Sequence, residues 1–216
     1  MVGQRLGNYQ LRKVIGQGGM GVVYEAWHEQ IGRRAAIKIL RASSATDTEL
    51  AARFLTEARA VNIIEHPGVV SAFDFGHTPD GHAYIVMDYL AGSTLRQRLT
   101  QLAELGGRLS QAKALRLCQK LATALSAAHA KGIVHRDLKP ENVMLVADPE
   151  SPGEERVKVL DFGLAKVALE HPAAEPAITQ QHTGMGTPSY MAPEQWQEAA
   201  SVDDRADVYS LGVFTL

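Results

Sequence analysis

The run His135-Arg136-Asp137-Leu138-Lys139-Pro140-Glu141-Asn142 leaves the surrounding chain little freedom. It places two oxygen donors, Asp137 and Asn142, five residues apart, with one cation, Lys139, between them. Oxygen donors of this hardness suit Mg²⁺. Nineteen residues after Asn142 comes Asp161-Phe162-Gly163, a second carboxylate on a turn that follows a short apolar strand. Ala192-Pro193-Glu194 lies downstream, and a set this long does not fall into order by chance.

Upstream of that block the chain carries strand signals. Residues 9–15 and 21–27 flank a glycine-rich bend, and residues 34–40 form a third apolar run. β-Branched and aromatic residues bounded by glycines predict strands joined by hairpins. Between 47 and 64, Leu50, Phe54, Ala58, Val61 and Ile64 recur at spacings of three and four, which predicts a helix with Asp47 near its positive end. His66-Pro67-Gly68 stops it, and strands are predicted at 69–75 and 82–90.

Ala91-Gly92-Ser93 marks a boundary between a first lobe, 1–90, and a second, 91–216. The second begins with a predicted helix over 111–131, with Leu115, Cys118, Leu121, Leu125 and His129 along one stripe. Short strands are predicted at 133–134, 142–146 and 157–160. The polar connector 148–155 has no apolar residue to drive its ordering, and 164–190 is the least patterned stretch. Loops of that length without structure of their own are usually functional or mobile.

Charge and cysteine content exclude several functions. Twenty-two Lys and Arg against 24 Asp and Glu leave a net charge of −2. Broad electrostatic capture of nucleic acid or of an anionic membrane needs a basic excess that is absent here. A single cysteine, Cys118, excludes an intrachain disulfide framework and a cysteine-based zinc site. The first residues lack the apolar core of a secretory signal, and no run approaches the ~20 apolar residues of a membrane span. A cytoplasmic location is therefore expected.

The bend Ile15-Gly16-Gln17-Gly18-Gly19-Met20-Gly21-Val22-Val23 lets backbone N–H groups approach phosphates closely, although glycines also serve hairpin geometry. A dinucleotide-binding reading requires a helix after the glycines, and here a strand follows. Lys38, set among Ala36, Ile37 and Ile39, either snorkels to water or meets an anionic partner. Glu57 reads on its own as an ordinary solvated helix charge.

Taken together, these motifs resemble the protein kinases, and specifically the bacterial serine/threonine kinases of eukaryotic type, from about Tyr9 to Leu216. The resemblance implies an α+β, two-lobed fold. A small antiparallel sheet with one main helix would precede a mainly helical second lobe. It implies transfer of the γ-phosphate of ATP to Ser/Thr hydroxyls of proteins in signalling, with Mg²⁺ or Mn²⁺ as cofactor. Gly16, Gly18 and Gly21 would cover the phosphates, Lys38 would hold the α- and β-phosphates, and Glu57 would pair with Lys38. Asp137 would accept or orient the hydroxyl proton, Lys139 would stabilise the transferred group, and Asn142 and Asp161 would bind metal. Ile15, Val23 and Ala36 on one side and Met144 on the other would enclose the adenine. Met87 would guard the back of that pocket, and the backbone of Asp88 and Leu90 would read the base edge.

Lys139 within Asp-Leu-Lys-Pro-Glu-Asn and the run 186–194 follow the Ser/Thr rather than the Tyr pattern. Thr187 would help hold Asp137 and Lys139 in register. Arg136 would grip a phosphate placed on Thr183 or Thr179 of the 164–187 segment. Loss of Lys38, Asp137 or Asp161 would have marked a non-catalytic nucleotide-binding or scaffolding module, and all three are present. Small-molecule phosphotransfer is disfavoured by Ala192-Pro193-Glu194 and the long segment before it. The chain ends at Leu216 inside an apolar run, so the second lobe is expected to be incomplete and the chain a fragment of a longer kinase.

Overall fold

The computed structural model describes residues 1–18, 21–40, 54, 58, 61–162, 189–196 and 202–214. Glu57, Gly163, Thr179, Thr183 and Thr187 lie outside the described residues, as does most of the helix expected over 47–64; Phe54, Ala58 and residues 61–62 are helical. The chain divides into two units. One is Met1–Ile63 with Val70–Leu90, and the other is Ile64–Val69 with Ala91–Leu216.

The first unit is built on a six-stranded antiparallel sheet in the order β1-β2-β3-β4-β6-β5. Its strands are β1 (Arg5–Leu6), β2 (Tyr9–Gln17), β3 (Gly21–His28), β4 (Arg33–Leu40), β5 (Ala72–His77) and β6 (Ala83–Asp88). Side chains alternate across a strand, so each strand gives one set of residues to each face. Tyr24, Ala26, Ala35, Ile37, Ile39, Tyr84 and Val86 share one face and form the core with Leu6, Tyr9 and Leu11. The register pairs Val23 with Lys38, Lys38 with Ile85, and Ala36 with Met87, which sets Val23, Ala36, Lys38 and Met87 together on the opposite face.

Residues 69–71, expected to open a strand, lie outside β5, and of them Ser71 accepts one hydrogen bond from Asp88 N–H at the end of β6. Within the second unit, Val69 instead bridges Val159 in parallel, Val159 N–H donates to the Gly68 carbonyl at 2.7 Å, and Lys158 Nζ donates to the Val69 carbonyl at 2.9 Å.

The second unit holds helices α1 (Leu95–Glu104), α2 (Gln111–His129) and α3 (Arg205–Val213), with a three-stranded sheet of β7 (Gly92–Thr94), β8 (Val143–Ala147) and β9 (Glu155–Val159). Thr94 starts α1 through a capping box with Gln97, and Ser110 Oγ caps α2 by accepting from Lys113 N–H. The buried stripe of α2 is Leu117, Leu121, Ala124, Leu125 and Ala128, whereas Leu115, expected on that stripe, is 58% exposed. The first turns of α2 instead carry Lys113 and Lys120 toward the β8–β9 hairpin.

No strand forms at 133–134. Gly132 closes α2 at φ +72°, its N–H donating to His129 and the N–H of Ile133 to Ala128, so the donor a strand would need is spent on the helix end. The connector 148–155 is also not the unordered stretch expected. Asp148 N–H donates to Glu154, Arg156 holds both Asp148 and Glu150, and Glu155 accepts from Arg98 and pairs with Lys113. Charge pairing orders a segment that apolar burial could not.

Candidate active site

Lys38 lies on β4 with only 7% of its surface exposed, beside Val23 and Ile85 in the sheet register. The glycines of the bend are not equivalent. Gly21 is forced by packing, because a Cβ there would collide with the backbone carbonyl of Ile39. A Cβ at Gly16 would make only ordinary contact with Val23, and one at Gly18 would meet nothing within 4 Å. Packing against the described residues does not require Gly16 or Gly18 to be glycine. Gly18 N–H closes the bend on the Gly21 carbonyl at 3.0 Å. At the end of β6, Asp88 N–H donates to the Ser71 carbonyl and the Asp88 side chain pairs with Arg33. Ile15 is exposed, and Leu90 and Met87 are half-buried.

The second unit brings together Asp137, Lys139 and Asn142. Lys139 Nζ lies 3.0 Å from Asp137 Oδ1 and 2.8 Å from Oδ2. Asn142 Nδ2 donates to the Asp137 carbonyl at 2.8 Å and to Asp137 Oδ2 at 3.0 Å. Both amide protons are thereby used, which leaves the Asn142 Oδ1 oxygen as the remaining acceptor. The 3₁₀ turn Pro140–Asn142 sets the asparagine back toward Asp137, while the aspartate side chain stays half-exposed.

The backbone of this loop is held by groups that spacing alone did not reveal. His135 is fully buried. Its Nδ1 accepts from Asp137 N–H at 3.2 Å, so the ring proton sits on Nε2, which donates to the Leu160 carbonyl at 2.8 Å. Leu160 N–H in turn donates to the Asn142 carbonyl at 2.9 Å. That pair fixes the chain just before Asp161, which adopts φ +54°, and before Phe162, which packs on the His135 ring at 4.7 Å. Met144 follows on β8.

Asp207 of α3, wholly buried, receives three donors: His135 N–H and Arg136 N–H at 2.8 Å each, and His129 Nε2 at 2.7 Å. Arg136 is held at φ +65°, and its guanidinium donates to the Val202 carbonyl at 3.0 Å. Gln195, on the 3₁₀ turn Pro193–Trp196, donates from Nε2 to the Arg136 carbonyl at 2.7 Å and accepts on Oε1 from Ala192 N–H at 2.9 Å. Ser210 Oγ anchors the same stretch through the Tyr190 carbonyl at 2.6 Å. Asp207 and Gln195 were not singled out from sequence. A charged residue facing inward in an apolar helix was the available signal for the first, and the second gave none. Among the described residues no cluster of three or more His, Cys, Asp or Glu is arranged to hold a metal. The oxygen set here is one amide and one carboxylate, a pair that suits a hard cation sharing its remaining positions with phosphate and water.

The protein kinase domain family matches residues 9–216. Among curated relatives, the serine/threonine-protein kinase Pkn1 of Myxococcus xanthus is 45% identical over 215 residues, 99% of this chain and 29% of the relative. The serine/threonine-protein kinase PknA of Mycobacterium tuberculosis is 39% identical over 211 residues, 96% of this chain and 45% of the relative. The chain thus spans less than half the length of these relatives. The crystal structure of the Mycobacterium tuberculosis PknI kinase domain superposes with a TM-score of 0.74 at 29% identity, covering 100% of this chain and 75% of that one.

Proposed function

The chain belongs to the protein kinase domain family, and from that membership we propose that it transfers the γ-phosphate of ATP to serine and threonine hydroxyls of proteins. The observation that carries this reading is Asp137, half-exposed on a loop whose backbone is tied down and with both oxygens beside Lys139. A carboxylate so placed can accept the hydrogen of a substrate hydroxyl and aim its oxygen. Lys139 offers positive charge to the transferred phosphoryl group. Phosphoryl transfer asks the protein for positioning and charge rather than covalent chemistry, and this loop offers both.

Asn142 Oδ1 and the Asp161 carboxylate are the groups that would hold divalent metal, with Mg²⁺ the proposed ion and Mn²⁺ its substitute. When bound, such a cation neutralises charge on the phosphate oxygens. In the first unit, the bend carrying Gly16, Gly18 and Gly21 would cover the phosphates and Lys38 would supply the neighbouring cation. Val23, Ala36, Met87 and Met144 would bind adenine, with the backbone of Asp88 and Leu90 reading its edge. Glu57 is proposed to pair with Lys38, and Thr179 or Thr183 to take the phosphate that Arg136 grips, with Thr187 steadying Asp137. Among the described residues no helix is long and apolar enough to cross a membrane; a cytoplasmic site of action is part of the proposal.

The test is ATP binding followed by calorimetry with and without Mg²⁺. Asp161→Asn should weaken the metal-dependent part of binding more than Asn142→Ala does, because a carboxylate offers a full charge and an amide only a dipole. Identical metal titrations for wild type and both variants would remove these residues from the metal site.

A further inference from the structure

The side-chain amide of Gln195 joins two stretches 59 residues apart in sequence. Its oxygen accepts from Ala192 N–H, the reach-back half of a capping box that closes the turn Pro193–Trp196. Its nitrogen donates to the Arg136 carbonyl at 2.7 Å. Arg136 is a non-glycine residue in left-handed backbone conformation at φ +65°, a state that persists only where the surroundings enforce it.

Three polar backbone groups around that strained residue are held by side chains. Asp207 Oδ1 takes the Arg136 N–H and His135 Nδ1 takes the Asp137 N–H. Gln195 takes the Arg136 carbonyl, the remaining group of the peptide plane that leads into Asp137. Removing that donor leaves the plane held at its Asp137 N–H alone, by a 3.2 Å bond to His135 Nδ1, and lets it tilt about the Arg136 ψ angle, carrying the Asp137 carboxylate with it.

We infer that Gln195 is a positioning residue that ties closure of the 192–196 turn to the orientation of Asp137. The inference rests on the reading of Asp137 given above. Both ends of the amide are needed, because only a group that accepts at one end and donates at the other can hold the turn and the loop together. A carboxylate can keep the Ala192 bond but cannot donate to Arg136, so Gln195→Glu separates the two halves. Gln195→Met keeps the shape and loses both.

The experiment compares wild type, Gln195→Glu and Gln195→Met in the full-length protein. It measures kcat for peptide phosphorylation, KM for ATP, and hydrogen exchange at the Ala192 and Asp137 amides. Gln195→Glu should lower kcat about 30-fold while KM for ATP stays within about twofold, as expected for lost positioning rather than lost binding. Its Asp137 amide should exchange faster while Ala192 stays protected; in Gln195→Met both should exchange faster. A merely structural role would deprotect both amides equally in Gln195→Glu, and that pattern overturns the inference. So does a Gln195→Glu kcat within about threefold of wild type. If Gln195→Glu does not fold, Gln195→Met decides on the same kcat threshold. A wild-type protein that phosphorylates nothing overturns the kinase reading instead, and the exchange pattern still decides the coupling.

Discussion

The loop 135–142 and the hairpin 148–155 are both mostly polar runs of eight residues held by charge, although the loop also buries Leu138 and Pro140. They are held differently. The loop hangs on buried groups: Asp207 with three donors, His135 bridging Asp137 to Leu160, and Asn142 folded back on Asp137. The hairpin is fastened near the surface, where Arg98, Lys113, Lys120 and Arg156 meet Glu155, Glu154, Asp148 and Glu150. A buried acceptor that loses its place leaves donors without water, at a cost of about 3–5 kcal/mol, whereas an exposed pair is worth about 0–1 kcal/mol. Buried charge fixes geometry closely enough for chemistry. Surface charge only keeps a loop from wandering.

The largest expected effect comes from the buried side. Asp207→Ala strands His135 N–H, Arg136 N–H and His129 Nε2 together, and should reduce unfolding free energy by about 3–5 kcal/mol in a urea titration followed by circular dichroism. A loss below about 1 kcal/mol would put the loop on the same footing as the hairpin and break the contrast.

Lys139→Ala sharpens it from the functional side. The Lys139–Asp137 pair is half-exposed, so stability should change by less than about 1 kcal/mol. Phosphoryl transfer should nevertheless fall by about 100-fold, measured as kcat on a peptide substrate. Loss of stability without loss of kcat would reverse the roles assigned to the two kinds of charge.

On the hairpin, Arg98→Ala should cost no more than about 1 kcal/mol, and a double-mutant cycle with Glu155→Gln should give a coupling that shrinks as salt is raised. A coupling of several kcal/mol that ignores salt would make this pair a buried one in effect.

The smallest effect is a pH dependence. The hydrogen bond from Arg98, helped by Lys113 against partial burial, holds the Glu155 carboxyl below the usual carboxylate range. A lowered value in the folded state means stability that is present above the unfolded value of about 4.3 and lost as pH falls through the folded one. Hydrogen-exchange protection of the Glu154 and Asp148 amides should therefore drop below about pH 4, and Glu155→Gln should remove that drop. An unchanged acid profile in Glu155→Gln would place the titrating group elsewhere.

These contrasts also explain what was legible in the sequence. Strands β2, β3 and β4 were readable because β-branched and aromatic residues bounded by glycines mark strands, and Val23, Ala36, Lys38 and Met87 share the face opposite the core. Asp137, Lys139 and Asn142 were readable because their chemistry is local to one turn. Misreadings arose where long-range partners decided the outcome. Ile133 has the composition of a strand, but its N–H closes α2. Val69 has the same composition and bridges β9 instead of extending β5. The hairpin 148–155 looked unordered because its partners, Arg98 and Lys113, lie 57 and 42 residues before Glu155. Asp207 and Gln195 act on Arg136 from 71 and 59 residues away, a relation no local pattern carries.

The central claim is that the anchored loop presents Asp137 as the group that orients a serine or threonine hydroxyl. Transfer of radiolabelled γ-phosphate from ATP to a protein substrate, followed by phosphoamino-acid analysis, tests it in wild type and Asp137→Ala. The account predicts label on serine and threonine in the wild type. It also predicts loss of nearly all transfer in Asp137→Ala, with ATP binding retained. Label on tyrosine, or an Asp137→Ala variant keeping more than about a tenth of wild-type turnover, a barrier change below ~1.4 kcal/mol, would contradict it.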